Sequence, residues 1–378
     1  MSEQNTADFL SRALPFYGEA DKRLLAMLPF RRFLAPSLSS LPEEAVTRRI
    51  VAFPGEGHRF LHEAAIAGFE GRLFASWYTC PVRELQGYTP IRESRSDDGG
   101  RTWSEPRVIA DDPGERILFC PPVYAEENGR FYLFLNQMVS PDHIHTLDLY
   151  RLDPAEDRFV RLWSRPVPFK LNTNAVRLSS GRLILPGRCG ELDGFPNTPA
   201  VLIEGPEGIE GAWRMRKMTP DGVLPDGSSL VHPEMTVVET NDGLVAFGRD
   251  DNRRVPLAYV SSDDGETWTG PVAHDVPTVS SKVYAGVLPD RRRYLVANTD
   301  RFDRSRLVLY LTGPEGAVFT SRLVLFDRED PKPEFPGGVA CHYPAAFASG
   351  SSLHIIATLG FASGERGACL FTVDLERI

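Results

Sequence analysis

Two stretches decide how this chain is read: SRSDDGGRTWSEP at 94–106 and VSSDDGETWTGP at 260–271. Both fit Ser-x-Asp-x-Gly-x-Thr-Trp. The first places Ser96, Asp98, Gly100, Thr102 and Trp103, and the second Ser261, Asp263, Gly265, Thr267 and Trp268. The spacing reads as a hairpin lock. Serine and aspartate side chains bond turn amides, glycine supplies a positive φ, and tryptophan is a large apolar plug. Shorter echoes that lack the aspartate occur at EGPEGIEGAW (204–213) and TGPEGAVF (312–319).

Around these turns the chain repeats. Six units align: HEAAIAGFEGRLFASWY from His62, CPPVYAEENGRFYLFLN from Cys120, NTNAVRLSSGRLILPGR from Asn172, HPEMTVVETNDGLVAFGR from His232, KVYAGVLPDRRRYLVAN from Lys282 and HYPAAFASGSSLHIIAT from His342. Each has a short strand, a polar or glycine turn and a second apolar strand, and they recur at roughly 50–60 residues, the spacing of propeller blades. No helical period separates them, so βαβ units are not expected. The last unit lacks a fourth strand, and TRRIVAFP (47–54) is placed to supply it and close the ring. The fold expected is all-β, a six-bladed β-propeller spanning 47–378. Residues 1–46, including ADFLSRALPFY and EADKRLLAMLPFRRFL, read as a short helical and irregular extension packed on its outside.

The 378 residues carry a net charge of −9, which argues against nucleic acid as a partner. The five cysteines are scattered and never spaced as CxxC, so neither a disulfide framework nor a zinc ribbon is expected. No run approaches a membrane span, and the start of the sequence shows no secretory signal; a cytoplasmic protein is expected. HEAAI lacks the second histidine of a metalloprotease helix, Ile66 standing in its place. No cofactor or metal is expected.

In a propeller, residues at one phase of the repeat converge on the central pocket. The first strands begin with His62, His232 and His342, and the second strands end with Tyr78, Asn136, Arg188, Arg249 and Asn298, with Arg301 and Arg304 just beyond. Buried cations need an anionic partner, and guanidinium forks suit a carboxylate. The ring therefore points to an acidic ligand.

The two turns resemble the Asp box of the sialidase superfamily. EMTVVETNDGLVAFGR (234–249) is similar to the sialidase stretch that carries the catalytic glutamate and one arginine of the carboxylate-binding triad, which implies these roles for Glu234 and Arg249. DRSRLVLYLTGPEG (303–316) resembles the stretch of another triad arginine, here Arg304, with Arg301 and Arg306 as rivals, and HYPAAF resembles the site of the nucleophilic tyrosine, here Tyr343. In that family the glutamate polarises the tyrosine hydroxyl, whose oxygen attacks the anomeric carbon. Sialidases open their first blade with Arg-Ile-Pro, whereas this chain reads FLHEAAI, with His62 in the arginine's place. The only carboxylate near the middle of the loop 79–93, where a general acid is sought, is Glu84.

The resemblance implies a glycosidase that removes an acidic sugar from a chain end. Arg188, Arg249 and Arg304 would hold the carboxylate, Tyr343 and Glu234 would act as nucleophile and activator, and His62 or His232 would orient or protonate. His342, Arg301, Tyr78, Asn136 and Asn298 are further candidate contacts. A uronate lyase and a non-catalytic glycan-binding propeller are the alternatives.

Overall fold

The computed structural model describes residues 17–378 except 142, 191–196, 300–302 and 315. Six antiparallel blades succeed one another along the chain, the sixth joined to the first in one sheet by a parallel bridge of Arg366 with Phe60. Blade 1 spans 60–110, blade 2 118–165, blade 3 169–217, blade 4 235–274, blade 5 284–327 and blade 6 338–374. Each starts at its innermost strand, and successive blades touch in a closed cycle, blade 1 against blade 2 and so on round to blade 6 against blade 1. Blade 6 takes its outer strand from early in the chain: Val46–Ala52 pairs antiparallel with Arg366–Asp374, Thr47 opposite Thr372 and Arg49 opposite Leu370. The closure read from TRRIVAFP is the one observed.

An apolar slab fills the space between successive blades, because each twisted sheet presents one face to each neighbour. Phe74, Tyr124 and Phe131 lie between blades 1 and 2, Phe134, Leu185 and Leu202 between blades 2 and 3, and Phe247, Leu295 and Val308 between blades 4 and 5. The Asp boxes pin the outer corners. Ser96 Oγ accepts from Gly100 N at 2.8 Å, and Asp98 accepts from Thr102 N at 2.9 Å and Thr102 Oγ1 at 2.7 Å. The second box repeats this, with Gly265 N to Ser261 Oγ at 2.9 Å and Thr267 Oγ1 to Asp263 at 2.6 Å. Gly100 and Gly265 have φ of +86° and +84°. Trp268 Nε1 donates to Gly265 O at 2.9 Å; in the echo without the aspartate, Trp213 Nε1 donates to Ile209 O at 3.0 Å and the ring packs between blades 2 and 3. The turn keeps its plug after losing its lock.

The described part of the N-terminal extension holds one helix followed by extended chain. ADFLSRALPF lies outside the described residues. One helix, Glu19–Met27, has acidic residues in its first turn and ends before Pro29. It buries Leu24 and Leu25 against Leu230 and Leu257. Beyond the helix the chain is extended. Phe30–Arg31 runs parallel to the outer strand of blade 4, and Leu34–Ser40 pairs parallel with that of blade 5. Residues 30–52 thus pass along the rims of blades 4, 5 and 6 in turn, covering edges that would otherwise be open. No helix among the described residues is long and apolar enough to cross a membrane.

Candidate active site

A shared irregularity aims side chains at the hub. In blade 1, His62 pairs with Tyr78 but the next pair is Ala65 with Ser76; in blade 6, His342 pairs with Thr358 and the next pair is Ala345 with Ile356. Each inner strand thus holds one extra residue, a β-bulge. Glu63 and Tyr343 occupy these bulges with φ of +48° and +56°, and His232, shortly before the inner strand of blade 4, has φ of +48°. Left-handed backbone at non-glycine residues is strained and clusters at functional positions.

The bulges assemble a buried polar hub. Arg249 Nη1 donates to both Tyr343 Oη and Glu234 Oε2. Its Nε and Nη2 form a fork on Asp251, both at 2.7 Å. Asp251 also accepts from Ser280 Oγ and bonds His232 Nδ1 at 2.9 Å. On the other side, Lys282 Nζ donates to Glu63 Oε2 at 2.5 Å and to Asn172 O at 3.0 Å, and stands 4.0 Å from Glu234 Oε1. Blades 1, 3, 4, 5 and 6 are thereby joined through charge.

This arrangement fixes protonation states. Against the cost of burial, Arg249 first and then Lys282 hold Glu234 at about 2, so it is an anion. Burial, reinforced by the Glu234 charge, pushes the Tyr343 phenol well above its usual range, so at rest it keeps its proton. Burial also drives His62 and His342 well below the ordinary imidazole value, helped by nearby cations, so both are neutral. His62 Nδ1 bonds Thr358 Oγ1 at 2.9 Å, and its ring lies 4.2 Å from that of Tyr343 and 5.2 Å from that of His342. His62 Nε2 and His342 Nδ1 have no hydrogen-bond partner. Glu84 reaches over this group: Tyr78 Oη donates to it at 3.2 Å and His62 Nε2 is 4.0 Å away.

Two cavities flank the hub. One, of about 390 Å³, is lined by Arg304, Arg366, His342, Asp303, Glu365 and Ser280 among others. The Arg304 guanidinium lies 5.0 Å from the Tyr343 ring centroid and bonds Ser280 O at 3.1 Å. The other, of about 400 Å³, is lined by Lys170, Arg188, Asn197, Asp221, Ser229 and His232 among others.

The residues expected from the sequence therefore divide. Tyr343, Glu234, Arg249, His62, His342, Tyr78 and Arg304 gather at the hub and the first cavity. Arg188 lies on the second cavity, apart from Arg304, which corrects the expectation of a three-arginine clamp on one group. Arg249 corrects it further, because its donors are already engaged by Asp251, Glu234 and Tyr343. His232 stands on the second cavity and bonds Asp251, which in turn holds Arg249. Asn136 and Asn298 are also corrected as ligand contacts. Asn136 bonds Phe169 O and Leu171 N, both at 2.9 Å, tying blade 2 to blade 3. Asn298 donates to Cys341 O and Arg306 O, both at 2.8 Å, and accepts from Ser281, tying blade 5 to blade 6. Arg301 lies outside the described residues; Arg306 pairs with Asp327 at 3.5 Å on blade 5.

Glu63, Lys282, Thr358 and Arg366 were missed. Lys282 is the first letter of its unit and Thr358 the last of its own, the phases that nominated the histidines and arginines. Glu63 follows His62 as Tyr343 follows His342, at the same phase of the repeat. Arg366 comes from a third strand, outside the two-strand units. Among the described residues no group of three His, Cys, Asp or Glu side chains could hold a metal ion.

Comparison with known proteins agrees with this architecture. The BNR repeat-like domain model matches residues 71–355. A Dyadobacter fermentans protein of unknown function superposes with a TM-score of 0.67 at 15% identity, over 87% of this chain and 99% of its own. A Hadza microbial sialidase gives 0.65 at 14% identity, over 85% of this chain and 67% of its own. A Trypanosoma rangeli sialidase mutant displaying trans-sialidase activity gives 0.64 at 14% identity, over 88% of this chain; the present chain spans only 59% of that one. No curated protein sequence matches. With the family model covering most of the propeller, the chain belongs to the BNR repeat-like domain family, and it shares its fold with sialidases.

Proposed function

We propose that this protein is a glycosidase of sialidase type that removes a carboxylate-bearing sugar from the end of a glycan. The observation that carries this reading is the contact of Tyr343 with Arg249, which also holds Glu234. A phenol raised in pKa by burial needs a base at the moment of attack, and Glu234, kept ionised and held by the same Arg249 nitrogen, is the proposed acceptor. Tyr343 Oη attacks the anomeric carbon as its proton passes to Glu234. Arg249 keeps both oxygens oriented and compensates the charge that moves between them. Glu84, above His62 and Tyr78, is the candidate donor to the leaving oxygen. Arg304 and Arg366 are the cations beside Tyr343 that can take the sugar carboxylate; Arg366 Nη1 is buried without a hydrogen-bond partner.

One observation favours a second reaction class. His62 and His342 are neutral, adjacent to Tyr343 and each has an unpartnered ring nitrogen, so either can accept the α-proton of a uronate whose carboxylate the arginines neutralise. That would be β-elimination.

A screen of sialosides, glucuronides and rhamnosyl-glucuronate glycans tests both. Release of a free acidic sugar, lost in Tyr343→Phe, supports the hydrolase; a conjugated, ultraviolet-absorbing unsaturated product supports the lyase. Absence of any turnover across the panel, with binding retained in Tyr343→Phe, would overturn both in favour of a binding module.

A further inference from the structure

The second cavity holds an arrangement the proposed chemistry does not use. Lys170 and Arg188 are direct partners across the antiparallel pair formed by Phe169–Leu171 and Leu183–Cys189, so both side chains leave the same face of blade 3. Like charges directly opposite each other destabilise a sheet, and both residues are deeply buried, 7% and 6% exposed. Neither forms an ion pair with a carboxylate among the described residues; the Glu234 charge, already engaged by Arg249, reaches them only at longer range. Arg188 donates through Nη1 to Asn197 Oδ1 at 3.2 Å, and its Nε is buried with no partner. The one carboxylate among the lining residues is Asp221, which is exposed and already accepts from Val223 N at 3.1 Å in a turn. The cavity of about 400 Å³ has room for a sugar substituent, and His232 on its wall connects it through Asp251 to Arg249.

We propose that Lys170 and Arg188 form an anion subsite that binds a second negatively charged group of the substrate, a sulfate ester or a second carboxylate, distinct from the carboxylate held beside Tyr343. Buried cations placed face to face with no carboxylate paired to them among the described residues are costly and are relieved by an anion between them. A guanidinium and an ammonium together offer a fork and a point charge, which suits an oxyanion with several acceptors. The substrate class is then set, and this step rests on the glycosidase reading: the acidic sugar carries, on itself or on its neighbour, a second anionic substituent. The preferred glycan is at least doubly charged.

The test begins with the ion alone. Isothermal titration of the full chain with sodium sulfate, and separately with sodium acetate, is compared across wild type, Lys170→Met, Lys170→Arg, Arg188→Met and Arg304→Met, each checked for folding by circular dichroism. The subsite predicts that Lys170→Met and Arg188→Met each weaken binding of the preferred anion about tenfold or more, while Lys170→Arg and Arg304→Met retain it. Preference for sulfate over acetate assigns a sulfate ester, and the reverse assigns a carboxylate. Binding that is absent in wild type, or equal in wild type and Lys170→Met, overturns the proposal, as does loss only in Arg304→Met. Kinetics on paired substrates with and without the second anion come next: the subsite predicts a preference for the doubly charged member that disappears in Lys170→Met. If neither substrate turns over, the glycosidase reading fails while the titration still judges the subsite.

Discussion

Asn136 and Asn298 stand at the same phase of the repeat as Arg188 and Arg249, yet the two pairs do opposite things. The asparagines are fully enclosed and bond the backbone of the next blade. The arginines reach the polar hub or a cavity. The reason is length and valence. A short amide has a donor and an acceptor that match a strand's free carbonyl and N–H, so it is used as a lock between blades. A guanidinium has several donors and no acceptor, so it cannot match a strand's free N–H and instead gathers carboxylates and phenol oxygens. Repeat phase gives a residue's position in the ring; its chemistry decides whether it faces blade or pocket.

The contrast can be broken by exchanging consequences. Arg249→Gln is expected to lower kcat/KM on the productive acidic substrate by about 10²–10³-fold, as for removal of a preorganised electrostatic group, while Asn298→Ala leaves kcat/KM per folded molecule unchanged; steady-state kinetics on both variants decide it. Asn298→Ala is instead expected to lower stability by about 2–4 kcal/mol, since it leaves the Cys341 and Arg306 carbonyls and the Ser281 hydroxyl without their partner. Urea denaturation measures this, and a stability unchanged from wild type would show that the amide is not a lock.

The same pair sharpens under acid. Glu234 has a folded-state value of about 2, below the ordinary carboxyl value of 4.5, so its contribution to stability is fully present above pH 4.5 and is lost as pH falls toward 2. Arg249 is the first cause of that depression. The stability gap between wild type and Arg249→Gln should therefore narrow as pH falls through this window, and the gap for Asn298→Ala, which involves no ionisable partner of that carboxylate, should not. Denaturant titrations at a series of pH values test it.

The smallest effects belong to the rim. Gly100→Ala introduces a Cβ 2.6 Å from Leu370 Cδ2 at a φ of +86°, whereas at Gly265 the nearest atom is 3.6 Å away and only the backbone objects. A loss of about 2–3 kcal/mol is expected for the first and about 1 kcal/mol for the second, with kcat/KM unchanged in both. Thermal melts rank them, and the reverse order would show that the two corners differ from this packing.

These contrasts mark how far the sequence could be read. The Asp boxes, the six units and the closing role of TRRIVAFP were legible because turns and alternation are local. The convergence of Tyr343, Glu234 and Arg249 was legible through phase and resemblance. Glu63 and Lys282 were not, because what makes them informative is their contact across the hub, between residues 219 positions apart. The parting of Arg188 from Arg304 was hidden for a related reason: phase says that both approach the axis, but which side of Arg249 each approaches depends on how the blades are inclined. The strands at 30–31 and 34–40 were hidden because PFRRFLAPSLSS has no clean alternation and is extended only because neighbouring sheet edges hold it.

The seam where Val46–Ala52 grips Arg366–Asp374 has a consequence for biogenesis. His62 lies on one side of that seam, and His342 and Tyr343 on the other. A nascent chain acquires its blades from the N-terminal side, so five of them can be in place while the partner of the waiting 46–52 segment is still unsynthesised. The reactive phenol meets its histidine only when the two distant segments clasp. A chain stopped before Arg366 would leave the 46–52 segment without its partner strand, and the proposed site would lack the seam that fixes Tyr343 against His62.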